Sequence, residues 1–337
     1  MKILVLGANG FIGNALVKNL LSTDSHHVYG MDLEKNKLTE SIDHRNFDFV
    51  EGDINISNEW IEYHIRKCDV IVPLVAIATP NVYVKDPLRV FELDFESNLK
   101  IVKWVAKYRK RIVFPSTSEV YGMCEDMSFD EYRSKLVVGP VHKSRWIYSC
   151  SKQLLDRVII AYSERGDLTA TLFRPFNWIG PKLDSLEQAQ LGNGRVITIF
   201  INNLIHNEDI VLVNGGRQSR AFTYLDDGID ALTRIIDGDA MRLNGKIFNI
   251  GNPEGAMTIK QLAENMVEVY NELSDKPYQG KIVEKSEAEF YGRGYEDIPA
   301  RVPNIREARE TLGWSPVTGP EEAISRTMRD FISKKES

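Results

Sequence analysis

The sequence predicts an α/β protein: a doubly wound parallel sheet with a smaller C-terminal α/β lobe. Short apolar runs alternate with longer helical patterns through the first half, as repeated βαβ units do. The runs are continuously apolar rather than alternating, which suits strands buried on both faces. A turn with glycines at three-residue spacing joins the first run to the first helical pattern, so the chain passes tightly from strand to helix.

Taken in order, the runs at 3–6, 28–31, 47–50, 69–76, 111–115 and 170–174 read as strands. Segments 11–22, 86–108 and 148–164 carry apolar residues at three- and four-residue spacing and read as crossover helices. A Gly-rich loop over 180–194 leads to a helix at 195–207, a strand at 211–213 and a turn at Asn214-Gly215-Gly216. A strand–helix pair at 221–237, a strand at 246–250 and a helix capped by Thr258 follow. Helices near 304–312 and 319–333 close the chain. No low-complexity linker or internal repeat interrupts the pattern. The expected division is 1–178 and 179–337, with some later segments returning to the first unit and a cleft over the C-terminal edge of the sheet.

Composition narrows the function. Of 337 residues, 43% are hydrophobic and 27% charged, ordinary for a globular enzyme. A net charge of −6 argues against nucleic acid as the main partner, since phosphate binding wants a basic surface. Cys68, Cys124 and Cys150 match no zinc spacing or disulfide framework, and no basic segment followed by an apolar stretch opens the sequence. With no run long enough to span a membrane, the expected setting is the cytoplasm. The six histidines form no cluster, so no metal site is expected.

Gly7-Ala8-Asn9-Gly10-Phe11-Ile12-Gly13 follows the first strand and opens the first helix. Small residues here let the backbone approach a pyrophosphate, and the helix N-terminus supplies N–H donors to it. Asp32 ends the second strand, where a carboxylate accepts from a ribose 2′-hydroxyl and repels a 2′-phosphate. Together these predict a Rossmann-type unit selecting NAD; the bland reading is a tight turn plus a surface acid. Asp53, after the third strand, is a candidate partner for the adenine or an ordinary loop carboxylate.

Tyr148-Ser149-Cys150-Ser151-Lys152 is Y-x-x-x-K on a predicted helix, so both side chains share one face. A lysine ammonium near a phenol lowers its pKa towards neutrality and makes a general base for an alcohol. Ser118, past the end of the fifth strand, is the candidate third member that hydrogen-bonds the reacting oxygen. One such motif is common by chance; its agreement with the upstream glycine turn is not.

These residues resemble the extended short-chain dehydrogenases, whose members act mostly on nucleotide sugars. Four segments narrow the resemblance: 73–80 (PLVAIATP), 116–122 (STSEVYG), 145–152 (RWIYSCSK) and 174–180 (RPFNWIG). They are similar to the UDP-glucuronic acid decarboxylase domain of ArnA-type bifunctional polymyxin-resistance proteins and to plant-type UDP-apiose/UDP-xylose synthases. Segments 248–253 (FNIGNP) and 290–301 (FYGRGYEDIPAR) fit both groups. The resemblance implies Tyr148 as base, Lys152 as its activator and a cofactor contact, and Thr117 and Ser118 at the sugar. Glu119 and Arg301 would serve decarboxylation. It further implies Ile54, Leu74 and Ala76 at the cofactor. Pro80, Tyr83, Arg145, Asn177, Arg195, Arg220 and Tyr295 would lie at the sugar or the UDP. The family's lysine before the Asn214 turn is Val211 here, which removes or replaces a uracil-side contact.

The expected chemistry follows from the substrate. Oxidation at C4 creates a ketone β to the C5 carboxylate, and a β-keto acid loses CO2 readily. The expected product is UDP-4-keto-pentose, UDP-xylose or both. Apiose synthesis is the nearest alternative, but Ala78 and Ser118 stand where the plant-type synthases carry cysteines. A 4-epimerase fits the 116–122 and 290–301 segments less well. An NAD-sensing regulator is the non-enzyme alternative; such proteins typically lose the Tyr/Lys pair that this chain keeps. Amphipathic helices at 86–108 and 148–164 match the family's four-helix dimer interface, so a homodimer is expected.

Overall fold

Ile3 and Val5 of the first strand bury in one apolar core, while Leu4 and Leu6 bury in another. A strand with both faces in hydrocarbon needs helices on both sides, and these follow in the chain. The computed structural model describes residues 1–291 and 296–335. It begins with β1 (Lys2–Leu6), α1 (Phe11–Leu21), β2 (His27–Asp32), β3 (Phe47–Glu51), α2 (Asn58–Lys67) and β4 (Val70–Pro73). Next come α3 (Pro80–Lys85), α4 (Pro87–Phe91), a π-helical segment Glu92–Ser97, α5 (Asn98–Lys107) and β5 (Arg111–Pro115). A 3-10 turn Ser118–Tyr121, α6 (Trp146–Glu164), β6 (Thr169–Pro175), β7 (Trp178–Ile179), α7 (Leu186–Gln190) and α8 (Val196–His206) follow.

The second half holds β8 (Ile210–Val213), β9 (Ser219–Ala221), β10 (Thr223–Tyr224), α9 (Leu225–Asp237) and β11 (Lys246–Ile250). It ends with β12 (Ala256–Thr258), α10 (Ile259–Leu273), β13 (Ile282–Lys285), α11 (Glu287–Tyr291), β14 (Ala300–Arg301), α12 (Arg306–Leu312) and α13 (Pro320–Lys335). The central sheet is parallel, in the order β11-β6-β5-β4-β1-β2-β3. α2, α5 and α6 cover the Leu4/Leu6 face; α1, α8 and α9 cover the other. Three small sheets build the rest: β10-β7, β12-β9-β14 and β13-β8. Among the described residues no helix is long and apolar enough to cross a membrane.

Two expected elements change shape, each to the benefit of the cleft. The strand expected over 69–76 stops at Pro73, and 74–79 run irregularly from the sheet's C-terminal edge. The helix expected over 86–108 is broken: Pro87 opens a new turn after α3, and the π segment widens the backbone before α5 resumes. α2 was not foreseen, because Ile61 and Ile65 are the only apolar members of its buried face, beside His64. The expected Thr258 cap is present as a full capping box with Gln261.

Candidate active site

The glycine turn brings the end of β1 and the start of α1 so close together that side chains are excluded. Gly7 adopts φ +85°, and a Cβ on Gly13 would stand 2.0 Å from the Gly7 carbonyl oxygen. Gly7 and Ala8 donate backbone N–H bonds to Met31 O at the end of β2. Gly10 is the N-cap of α1 and offers no capping side chain, leaving the first-turn N–H groups to a ligand. Asp32 accepts from the Asn9 and Leu33 N–H groups, both at 2.8 Å. Burial holds its carboxyl above the usual range against those bonds. Asn9 also staples the following loop, donating to Asn36 Oδ1 and accepting from the Lys37 N–H.

Beside this turn lies a cavity of about 260 Å³ whose lining includes Asp32, Asp53, Ile54 and Val75. Asp53 holds its own loop by accepting from the Asn55 N–H. Leu74 backs onto Gly7 and donates its N–H to Leu6 O, with Ala76 half-buried just beyond. Phe11 and Ile12 open α1; the Arg195 guanidinium lies 5.6 Å from the Phe11 ring centre and pairs with Asp184.

Chemistry-bearing side chains gather beyond the end of β5. Ser116, Thr117, Ser118 and Glu119 are all buried. Thr117 caps the 3-10 turn by accepting from the Glu119 N–H and is hydrogen-bonded to Tyr148. The Tyr148 ring stacks on Tyr83 at 4.7 Å, and Tyr83 follows Pro80 on α3. Lys152 shares the Tyr148 face of α6 as expected, but its ammonium donates to Pro115 O at 3.1 Å and faces Asp94 at 3.9 Å. The expected lowering of the phenol pKa is not what this environment produces. Burial, with Asp94 and Glu119 nearby, pushes Tyr148 well above its ordinary value.

Glu119 lies between two guanidiniums. Arg145 Nη2 donates to Oε2 at 2.9 Å, and Arg301 Nη1 donates to Oε1 at 3.3 Å and to Ser118 Oγ at 3.5 Å. Arg301 lies on β14, in register with Arg220 on β9, and Arg220 pairs with Asp297 at 2.6 Å. Burial and the Arg220 charge lower the Arg301 pKa to about 10. Asn177, at φ +40°, donates to Ala221 O between β6 and β7. Tyr295 lies outside the described residues. Val211 sits half-buried in β8, paired with Val283 of β13.

A second buried layer escaped the sequence reading. Asp156 accepts from Ser116 Oγ at 2.7 Å and Arg174 Nη2 at 3.2 Å; Arg174 in turn donates to Tyr121, which donates to Asn249. Asp156 stands four residues past Lys152 on one helical face, a spacing that could have flagged it. Asp94 gave no such signal, because the expected continuous helix hid its inward turn.

The chain matches the NAD dependent epimerase/dehydratase family over residues 3–251. It belongs to that family. As an epimerase/dehydratase-family enzyme it uses NAD, and the glycine turn and Asp32 have the shape and charge to hold it. The chain is 49% identical to PbgP3 protein from Burkholderia pseudomallei, with a TM-score of 0.89 over 98% of this chain and 96% of that one. Pal from Bacillus thuringiensis is 26% identical, with a TM-score of 0.82 over 99% and 100% of the two chains. The fold also matches UDP-glucuronic acid 4-epimerase from Bacillus cereus, solved with UDP-glucuronic acid and NAD. There the identity is 22% and the TM-score 0.80, over 99% and 100%.

Proposed function

We propose that this enzyme oxidises UDP-glucuronic acid at C4 and decarboxylates it, giving UDP-4-keto-pentose, UDP-xylose or both. The observation that carries the reading is the Arg145–Glu119–Arg301 cluster, buried beside Ser118 and within electrostatic reach of Tyr148. A hydroxyl-oxidising site needs a base, and a carboxylate-losing site needs fixed cations. Here the two adjoin.

In this mechanism Tyr148 takes the C4 hydroxyl proton, with Thr117 and Ser118 holding the sugar oxygen. When bound, NAD+ would supply the hydride acceptor and a positive charge opposing the burial and the carboxylates that raise the phenol pKa. Lys152 holds the cofactor side of α6. The C4 ketone then accepts the electrons released with CO2 from C5. Arg301 orients the departing carboxylate, and Glu119 with Arg301 serves protonation of C5. Asp53, Ile54, Leu74 and Ala76 wall the cofactor, in a unit spanning 1–178. Pro80, Tyr83, Arg145, Asn177, Arg195, Arg220 and Tyr295 serve the UDP-sugar, much of it on 179–337. Exposed Leu88 on α4 and Leu154 on α6 favour a homodimer through these helices, and three free cysteines suit the cytoplasm; light scattering at micromolar concentration tests the dimer.

The deciding experiment incubates the protein with UDP-glucuronic acid and NAD+ and follows products by proton NMR and mass spectrometry. CO2 with a UDP-pentose supports the reading. UDP-galacturonic acid with the carboxylate retained, a branched UDP-apiose, or no reaction despite NAD binding overturns it.

A further inference from the structure

Asp94 is fully buried in the π-helical segment, and that segment aims it at two places. Its Oδ2 accepts from the Ile77 N–H at 3.0 Å, in the irregular stretch after β4. Its Oδ1 has no hydrogen-bond partner and stands 3.9 Å from the Lys152 ammonium. One turn on, Asn98 donates to Val75 O at 3.2 Å, so the two side chains grip the same stretch from its N–H and C=O sides. Bracing that stretch does not need a charge, since a neutral amide oxygen accepts an N–H as well. A buried carboxylate is costly unless its charge is used. Two features show where it acts. Burial lowers the Lys152 pKa, and Asp94 is the foremost group opposing this. Asp94 is also the foremost charged group acting on the Tyr148 phenol.

We infer that Asp94 tunes the balance between the two oxidation states of the cofactor: its carboxylate offsets the Lys152 charge, which would otherwise weaken binding of the cationic ring of NAD+ relative to the uncharged ring of NADH. This effect on the cofactor rests on the proposed role of Tyr148. The phenol takes a proton from the oxygen on the carbon that gives up hydride, so the nicotinamide must stand within a few ångströms of it. A charge felt by the phenol in this dry wall is felt by the ring as well. With both groups ionised the wall is neutral; without Asp94 it carries an uncompensated cation that repels NAD+ and leaves NADH unaffected.

The test is equilibrium binding, independent of any sugar substrate. NADH affinity is read by its fluorescence and NAD+ affinity by competition, in the full chain. Asp94→Asn keeps an acceptor for Ile77 and should lower the ratio Kd(NADH)/Kd(NAD+) by about tenfold. Lys152→Met should raise that ratio, and the double variant should return it towards the starting value. If both single variants weaken the two forms equally, or if Asp94→Asn moves the ratio less than about twofold, the inference is overturned. A moved ratio with no decarboxylation of UDP-glucuronic acid would leave Asp94 in place and remove only the substrate reading.

Discussion

Arg301 Nη1 lies 3.3 Å from Glu119 Oε1, joining residues 182 positions apart in a buried site. Glu119 is held on its other oxygen by Arg145, so it keeps one guanidinium partner if Arg301 is removed. Arg301→Met should therefore leave the fold and NAD binding intact. CO2 release from carboxyl-labelled UDP-glucuronic acid should fall by roughly a hundredfold or more, the scale of loss when a group that orients the reacting carboxylate is removed. Near-normal CO2 release would remove Arg301 from the mechanism.

Tyr148→Phe keeps the ring and hence the stack on Tyr83. Turnover should drop by roughly 10²–10⁴-fold, while NAD+ affinity stays near its starting value. Steady-state rates paired with NAD+ competition against bound NADH check both halves. A variant with normal kcat would exclude the phenol as base.

Asp32 stands at the end of β2 with two backbone N–H bonds fixing its carboxylate. Asp32→Ala should weaken NAD+ use and lower the NAD+/NADP+ ratio of kcat/KM by about tenfold, as expected for losing a charged hydrogen bond. Comparable use of both cofactors by the unaltered protein would contradict the assignment.

Glu131 gives a stability prediction apart from the chemistry. It is buried, accepts from the Asn249 N–H at 2.7 Å, and burial pushes its carboxyl up to about 7. The folded chain thus holds this proton more tightly than the unfolded chain, where the group titrates near 4.5. Below that lower value ionisation exacts no penalty; stability falls as pH rises between the two values, and the full penalty stands above 7. Glu131→Gln keeps the acceptor and does not titrate. It should be more stable than the parent at pH 8, on the order of 1–3 kcal/mol, with the gap narrowing at pH 5. Thermal melts at the two pH values decide it; a gap that fails to narrow would refute the assignment.

The sequence by itself determined whatever lives within a few residues of chain. The glycine spacing at 7–13 and the aspartate closing β2 specify the tight strand-to-helix turn and the acid beside it, because backbone conformation and helix polarity are local. The strand at 246–250 and the Thr258 cap were legible for the same reason. The four-residue step from Tyr148 to Lys152 placed both on one face of α6, since helical periodicity alone does that. Where their polar ends point was not legible. Lys152 turns to Pro115 O and Asp94 because β5 and the π segment close over it, and the phenol is governed first by burial and then by carboxylates from two other elements. Only the tertiary structure set Glu119 between Arg145 and Arg301, because β14 must return across the molecule to pair with β9. Burial then decides the electrostatics: the same ionisable side chains in water would keep near-ordinary pKa values, whereas in this wall each depends on the partner that the fold supplies.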